Sequence, residues 1–222
     1  MNLTLFDLDG TLIATDSDHA FGEFMVTLGW ADAEDFRRAN DRFYADYLAG
    51  QLDIDRYVDF ATRAWRDRGA APLQAASERF TQQVIGPQLR PAARALVQRH
   101  LDAGDLVAIV TATNEFITRP IAHLFGVDQL IATELARDAD GRVTGAVRGT
   151  PSFREGKIQR VHEWLAARGR QWGEFERTTF YSDSTNDLPL LERVSHPVAT
   201  NPGPQLERVA LDRGWPILRL FE

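Results

Sequence analysis

The chain has 222 residues, no cysteine and a formal net charge of −7. Disulfides, thiolate nucleophiles and cysteine-based zinc sites are excluded, and the acidic balance argues against a nucleic-acid partner, which requires a basic stripe. No apolar run approaches the ~20 residues of a membrane span and no cationic, apolar leader precedes the first strand, so the expectation is a cytoplasmic protein with no membrane partner.

Leu3 to Asp7 reads as a short buried strand that runs into Asp7-Leu8-Asp9-Gly10-Thr11. From Ser17 to Ile85 the spacing predicts helices throughout. Phe21, Phe24, Met25 and Leu28 share one apolar face; Phe36, Phe43, Tyr44, Tyr47 and Leu48 a second; Tyr57, Val58, Ala61 and Trp65 a third. Gly29, Gly50 and Gly69 punctuate them as C-terminal stops. Pro91 opens a helix that Gly104 ends, and Leu106–Val110 has the continuous β-branched run of a buried parallel strand. Asn114–Phe125 reads as a helix. Leu130–Leu135 and Arg142–Val147 flank Asp138-Ala139-Asp140-Gly141 as a hairpin. Phe153–Arg168 is a helix, Thr178–Tyr181 a strand, and Pro197–Ala199 and Pro216–Leu218 short strands. Strand–helix alternation after residue 90 predicts a parallel sheet with helices on both faces, and the all-helical block before it an inserted cap.

Ligands of open α/β sheets bind at the carboxyl ends of strands, where Asp7 and Asp9 stand on one side of the chain if strand geometry persists. Two carboxylates so close repel unless a cation or a shared proton relieves them, and magnesium suits carboxylate oxygens. Asp183 and Asp187 follow Thr178–Tyr181 and complete a four-carboxylate cluster that is costly without a metal. The run Thr111-Ala112-Thr113-Asn114 offers hydroxyls and free N–H groups at a helix start, for an anion or for helix capping. Lys157 lies near a helix N-terminus, unfavourably for the dipole, and is best placed if it faces an anion; a single lysine is otherwise usually exposed.

These segments resemble, in order, the four motifs of the haloacid dehalogenase (HAD) superfamily on its phosphatase side. The motifs are Asp7-Leu8-Asp9-Gly10-Thr11, Ile109-Val110-Thr111, Lys157 and Ser182-Asp183-Ser184-Thr185-Asn186-Asp187. The resemblance implies a Rossmann-like core over residues 1–15 and 86–222 and a helical cap of the first type, C1, over 16–85. It is closest to the phosphoserine phosphatase-like branch, family IB, some of whose members act on histidinol phosphate. It makes Asp7 the nucleophile that forms an aspartyl-phosphate and Asp9 the general acid, then base. Asp7, Asp9 through its backbone carbonyl, and Asp183 hold Mg²⁺, with Asp187 supporting a metal-bound water. Thr111, Ala112 and Lys157 bind the phosphoryl group and Asn186 reaches substrate or phosphate.

The expected partner is a small-molecule phosphate ester, and oligomeric state is left open. Asp16 stands where phosphoserine phosphatases carry a substrate-contacting glutamate; Asp16 and Asp18 either recognise an amine or cap the first cap helix. His19 reads as a packed or exposed helix residue, and Arg56 and Arg63 are candidates to meet a substrate carboxylate. Three other readings stay open: a phosphotransferase or phosphomutase using the same Asp7, a receiver-like phospho-acceptor, and a non-catalytic binding protein.

Overall fold

The computed structural model describes residues 1–221. Six parallel strands form one sheet: β1 (Leu3–Phe6), β2 (Leu106–Asn114), β3 (Leu130–Thr133), β6 (Thr178–Ser182), β7 (His196–Thr200) and β8 (Ile217–Leu218), in the order β3-β2-β1-β6-β7-β8. From β1 the chain winds first toward β3, then returns to lay β6 against the other side of β1. The strand order therefore reverses at the β1–β6 pair, and a ligand crevice opens beyond its carboxyl ends.

Side chains alternate across each strand. Phe6, Val107, Ile109 and Tyr181 face a core completed by α5 (Pro91–Asp102) and α6 (Glu115–Leu124). Leu3, Leu5, Val110 and Phe180 face a second core, completed by α7 (Glu155–Ala166), the short α8 (Leu188–Leu191) and α9 (Pro204–Arg213). The same parity turns Asp7, next after Phe6, toward the α7 side.

Between β1 and α5 lie α1 (Ser17–Thr27), α2 (Ala33–Leu48), α3 (Ile54–Arg63) and α4 (Ala70–Phe80), then a π-helical turn over Thr81–Ile85. Ile13 and Leu89 form an antiparallel bridge where the chain leaves and rejoins the sheet region. Aspartates at 16, 32 and 53 start α1, α2 and α3, each accepting a backbone N–H with its carboxylate. Phe21, Met25, Trp65 and Phe80 belong to the same buried cluster as Phe6 and Ile109. Trp65 stacks on Phe116 of α6 with ring centroids 4.5 Å apart.

Three expectations are corrected. Leu130–Leu135 is not one arm of a hairpin: Leu130–Thr133 pairs with β2 in the main sheet, and the hairpin joins only β4 (Leu135–Arg137) to β5 (Val143–Val147). One apolar run serves both sheets, split at Glu134, and periodicity alone cannot mark such a split. β2 continues past Val110 to Asn114, carrying Thr111 and Thr113 within the strand. The face Phe36 to Leu48 also divides: Phe43 is buried, whereas Leu48 is 61% exposed. Among the described residues no helix is long and apolar enough to cross a membrane.

Candidate active site

Pairing of Phe6 with Ile109 and with Tyr181 sets the ends of three strands side by side. Asp7, whose N–H donates to Tyr181 O at 2.9 Å, therefore stands between the segments carrying Thr111 and Asp183. Its carboxylate meets Lys157, which α7 delivers from the same face: Nζ donates to Asp7 Oδ1 at 2.8 Å and reaches both oxygens of Asp187 at 2.7 and 2.8 Å. Lys157 is 2% exposed. Burial acts to lower its pKa, but Asp187 and then Asp7 outweigh burial and carry it above the ordinary lysine value. Burial raises Asp187 to about 6 despite the pull of Lys157, with the charge of Asp7 adding to the rise.

The second oxygen of Asp7 accepts from the Thr11 hydroxyl at 3.2 Å, and the same hydroxyl lies 3.1 Å from Asp183 Oδ1 and accepts the Asp183 N–H at 3.0 Å. Thr11 thus joins Asp7 to Asp183. Gly10 lets the two loops meet: its φ is +72°, and a Cβ there would collide with the Asp183 carboxylate. Burial, followed by the charges of Asp7 and Asp187, pushes the Asp183 carboxyl well above the ordinary carboxylate range.

Asp9 turns a different way. Oδ1 accepts the Ser17 N–H at 2.8 Å, at the start of α1, and Oδ2 accepts from the Thr113 hydroxyl at 3.0 Å. Burial, then the charges of Asp16 and Asp7, hold its pKa well above the usual range despite the Ser17 hydrogen bonds. Thr111 Oγ1 accepts the Thr113 N–H at 3.2 Å, and Asn114, not Thr113, caps α6 through Ile117 N. The Asn186 amide donates to Tyr47 O of α2 at 2.9 Å.

Sequence reasoning gave Thr113 only a place in the run for an anion or a helix cap, and gave Thr11 and Ser182 no role of their own; Ser182 donates to Asp187 Oδ2 at 2.7 Å. The available signal was a small hydroxyl residue one to four residues beyond each of these predicted strand ends. Arg56 and Arg63 do not face the site. They line a separate groove between α2 and α3 with Arg42 and Asp59, and Arg63 pairs with Asp59. His19 pairs with Asp41 at 2.9 Å.

The site opens into a tight cavity of about 40 Å³. Asp7, Asp9, Thr111 and Ala112 line it from the sheet; Asp16 and Asp18, and Tyr44, Tyr47 and Tyr57, line it from the helical insertion. Asp16 both caps α1, accepting the His19 N–H at 2.8 Å, and borders the cavity.

Among the described residues no three His, Cys, Asp or Glu side chains form a ready ligand set for a metal. The chemistry still suits a hard cation. Asp7 and Asp183 converge on Thr11, all three side chains offer oxygen ligands, and among the described residues Lys157 is the only base paired with Asp7, Asp9, Asp183 or Asp187.

A parallel α/β core gathers acids, a buried lysine and hydroxyls at its switch point beneath inserted helices. This is the architecture of capped hydrolases that work on anionic substrates. Residues 4–192 match the family described as haloacid dehalogenase-like hydrolase, and the chain belongs to that family. It is 46% identical over 217 residues, covering 98% of both chains, to a histidinol-phosphatase of Neisseria meningitidis. It is 31% identical over 215 residues to phosphoserine phosphatase SerB1 of Mycobacterium tuberculosis, covering 96% of this chain and 68% of that one. A Bordetella pertussis protein of unknown function superposes with a TM-score of 0.93 at 47% identity, covering 99% of each chain. A substrate-bound phosphoserine phosphatase shares the fold, with a TM-score of 0.68 at 18% identity, covering 97% of this chain and 91% of that one.

Proposed function

We propose that this enzyme is a magnesium-dependent phosphomonoesterase that works through an aspartyl-phosphate on Asp7, with histidinol phosphate as its first substrate candidate. Residues 1–15 and 86–222 would carry the catalysis and 16–85 would form the cap. The observation that carries the reading is the placement of Asp7 on the cavity wall with Lys157 Nζ 2.8 Å from its carboxylate. A nucleophile that receives a phosphoryl group needs a fixed cation beside it.

An oxygen of Asp7 attacks phosphorus, the bond to the ester oxygen breaks, and Asp9 gives its proton to the departing alkoxide. Burial and the charges of Asp16 and Asp7 raise the pKa of Asp9 above the ordinary carboxylate value, which favours the protonated form a general acid needs. Water then attacks the aspartyl-phosphate, Asp9 takes its proton, and the bond between phosphorus and Asp7 breaks to release phosphate. Thr111, the Ala112 backbone and Lys157 orient the phosphoryl oxygens. Magnesium, held by Asp7, Asp183 and the main-chain carbonyl of Asp9 with Asp187 beside them, would neutralise charge on the transferring group.

The choice of substrate is supported by charge. Among the described residues lining the cavity there is no arginine or lysine to meet a substrate carboxylate. Phosphoserine carries such a carboxylate and histidinol phosphate does not. The test is phosphate release from both compounds with magnesium or EDTA, together with acid-quench trapping of the phosphorylated protein. Metal-dependent release and a trapped phosphoryl group, both lost in Asp7→Asn, are expected. Turnover that survives Asp7→Asn would end the covalent reading.

A further inference from the structure

A groove of about 370 Å³ opens at the amino end of the sheet, and Asn2, Arg99, His100, Asp105, Arg177 and Tyr181 supply its polar wall. Asn2, Asp105 and Arg177 immediately precede β1, β2 and β6, and the pairing of Leu3 with Leu106 and with Thr178 brings them together. The groove shares no lining residue with the catalytic cavity. Among the described residues Asp105 is the one acid on this wall, and its side chain is 5% exposed with both oxygens engaged. Oδ1 accepts from Asn2 Nδ2 at 3.0 Å; Oδ2 accepts from the Thr4 hydroxyl at 2.9 Å and lies 2.7 Å from His100 Nδ1. His100 Nε2 in turn meets the Tyr181 hydroxyl at 2.9 Å, and the Tyr181 ring stacks on Phe6 with centroids 4.8 Å apart. Arg99 and Arg177 are exposed, and among the described residues the side chain of neither makes an ion pair or hydrogen bond. The acids nearest them along the chain are engaged elsewhere: Asp102 accepts from Gln98 at 2.7 Å, and Glu176 pairs with the N-terminal ammonium at 3.2 Å.

The wall therefore presents two unneutralised guanidiniums, in a chain of net charge −7. Burial raises the pKa of the Tyr181 hydroxyl, Arg99 and then Arg177 act against burial, and Asp105 adds to the rise, so both guanidiniums bear on the same phenol. A guanidinium is a planar fork of N–H donors that fits phosphate oxygens two at a time, and it stays charged at any working pH. We propose that this groove is a second, non-catalytic phosphate-binding site. Arg99 and Arg177 hold a phosphate dianion, either free or as the end of a monoester, with the Tyr181 hydroxyl beside it. The paired positive charge matches a dianion better than it matches a single carboxylate. The bonds that Asn2, Thr4 and His100 make to Asp105 keep the one nearby carboxylate from repelling the ligand. The size of the groove leaves room for the organic part of an ester.

The test is calorimetric titration of the full chain, in EDTA, with inorganic phosphate, with methylphosphonate as an ester stand-in that cannot be hydrolysed, and with acetate. Wild type, Arg99→Gln with Arg177→Gln, Tyr181→Phe and Thr111→Ala are compared. The double arginine variant is expected to lose at least about tenfold in phosphate affinity, as for lost charge-assisted hydrogen bonds. Tyr181→Phe loses severalfold, and Thr111→Ala, at the catalytic cavity, binds as wild type does. Both arginines are exposed, so the double variant keeps the wild-type melting temperature and its phosphate release from histidinol phosphate. Methylphosphonate binding with the same arginine dependence assigns the site to monoesters as well; binding of inorganic phosphate alone assigns it to the free ion. The proposal is overturned if wild type binds neither phosphate nor methylphosphonate, if the double variant binds them undiminished, or if acetate binds as tightly. It is overturned equally if Thr111→Ala abolishes the binding, because the anion then sits at the catalytic cavity.

Discussion

The side-chain amide of Asn186 donates to the main-chain carbonyl of Tyr47 at 2.9 Å, tying the loop after β6 to the C-terminal turn of α2. The last carbonyls of a helix lack partners within it. Here Asn186 serves Tyr47 O, and Arg154 Nη1 donates to Gly50 O at 2.9 Å. The Tyr47 and Phe153 rings lie 6.0 Å apart beside these bonds. The sheet side thus holds the α2 end through two side chains that border the phosphoryl motifs. Replacing both, as Asn186→Ala with Arg154→Ala, removes about 1 kcal/mol of docking per bond. Hydrogen exchange in α2 and α3 is expected to accelerate severalfold while β1 keeps its protection. Uniform acceleration across both regions would contradict the local tether.

Lys157 holds Asp7 and Asp187 together in the interior. Removing one partner of a buried ion pair leaves uncompensated charge, at ~3–5 kcal/mol. Lys157→Met is therefore expected to lower the unfolding midpoint substantially and to cut turnover by at least about a hundredfold. A denaturant melt and a phosphate-release assay check this. A variant as stable as wild type would show that Lys157 does not balance these carboxylates.

Asp18 links stability to pH. Its folded pKa of about 7 lies above the ~3.9 of an unfolded aspartate. The native state therefore binds the extra proton between those values, and stability falls as pH rises from about 4 to about 7. Asp18→Asn should be more stable than wild type near pH ~8, with the difference vanishing toward pH ~4. Thermal unfolding of both proteins at the two ends measures it, and an equal difference at both would refute the assignment.

Arg56 and Arg63 sit on the outer groove of the helical insertion, Arg63 with its side chain 66% exposed. Substituting either by alanine should change kcat/KM by less than about twofold, as for surface positions away from a site. A large rise in KM would place a cation in the substrate cavity after all.

Trp65 is 1% exposed and stacks on Phe116, joining the loop after α3 to α6. Trp65→Ala opens a cavity in the shared core and is expected to cost ~3–5 kcal/mol of global stability. The matching result is a shift of one cooperative transition. Loss of the insertion's helices alone, with the sheet intact, would mean that the two parts do not share one core.

The strand ends, the helical block and the acids at motif ends were legible because each is a local signal. An apolar run meeting Asp7, a β-branched run reaching Thr111 and another meeting Asp183 need only the neighbouring residues. The division of Leu130–Leu135 between two sheets was not legible, because pairing partners far along the chain decide it. Nor was the orientation of Arg56 and Arg63, since helical spacing gives a face but not what the face meets.

By itself, then, the sequence determined an α/β chain whose strands end in four aspartates, and the family motifs those residues compose. Only the tertiary structure decided how their charges are managed. Lys157 is 150 residues from Asp7 and 30 from Asp187, and only the fold brings them together. Thr11 and Asp183 are 172 residues apart, and Asn186 and Tyr47 139. Hydrogen bonds and ion pairs act over a few ångströms of space, so their partners are fixed by the packing of elements and not by nearness along the chain.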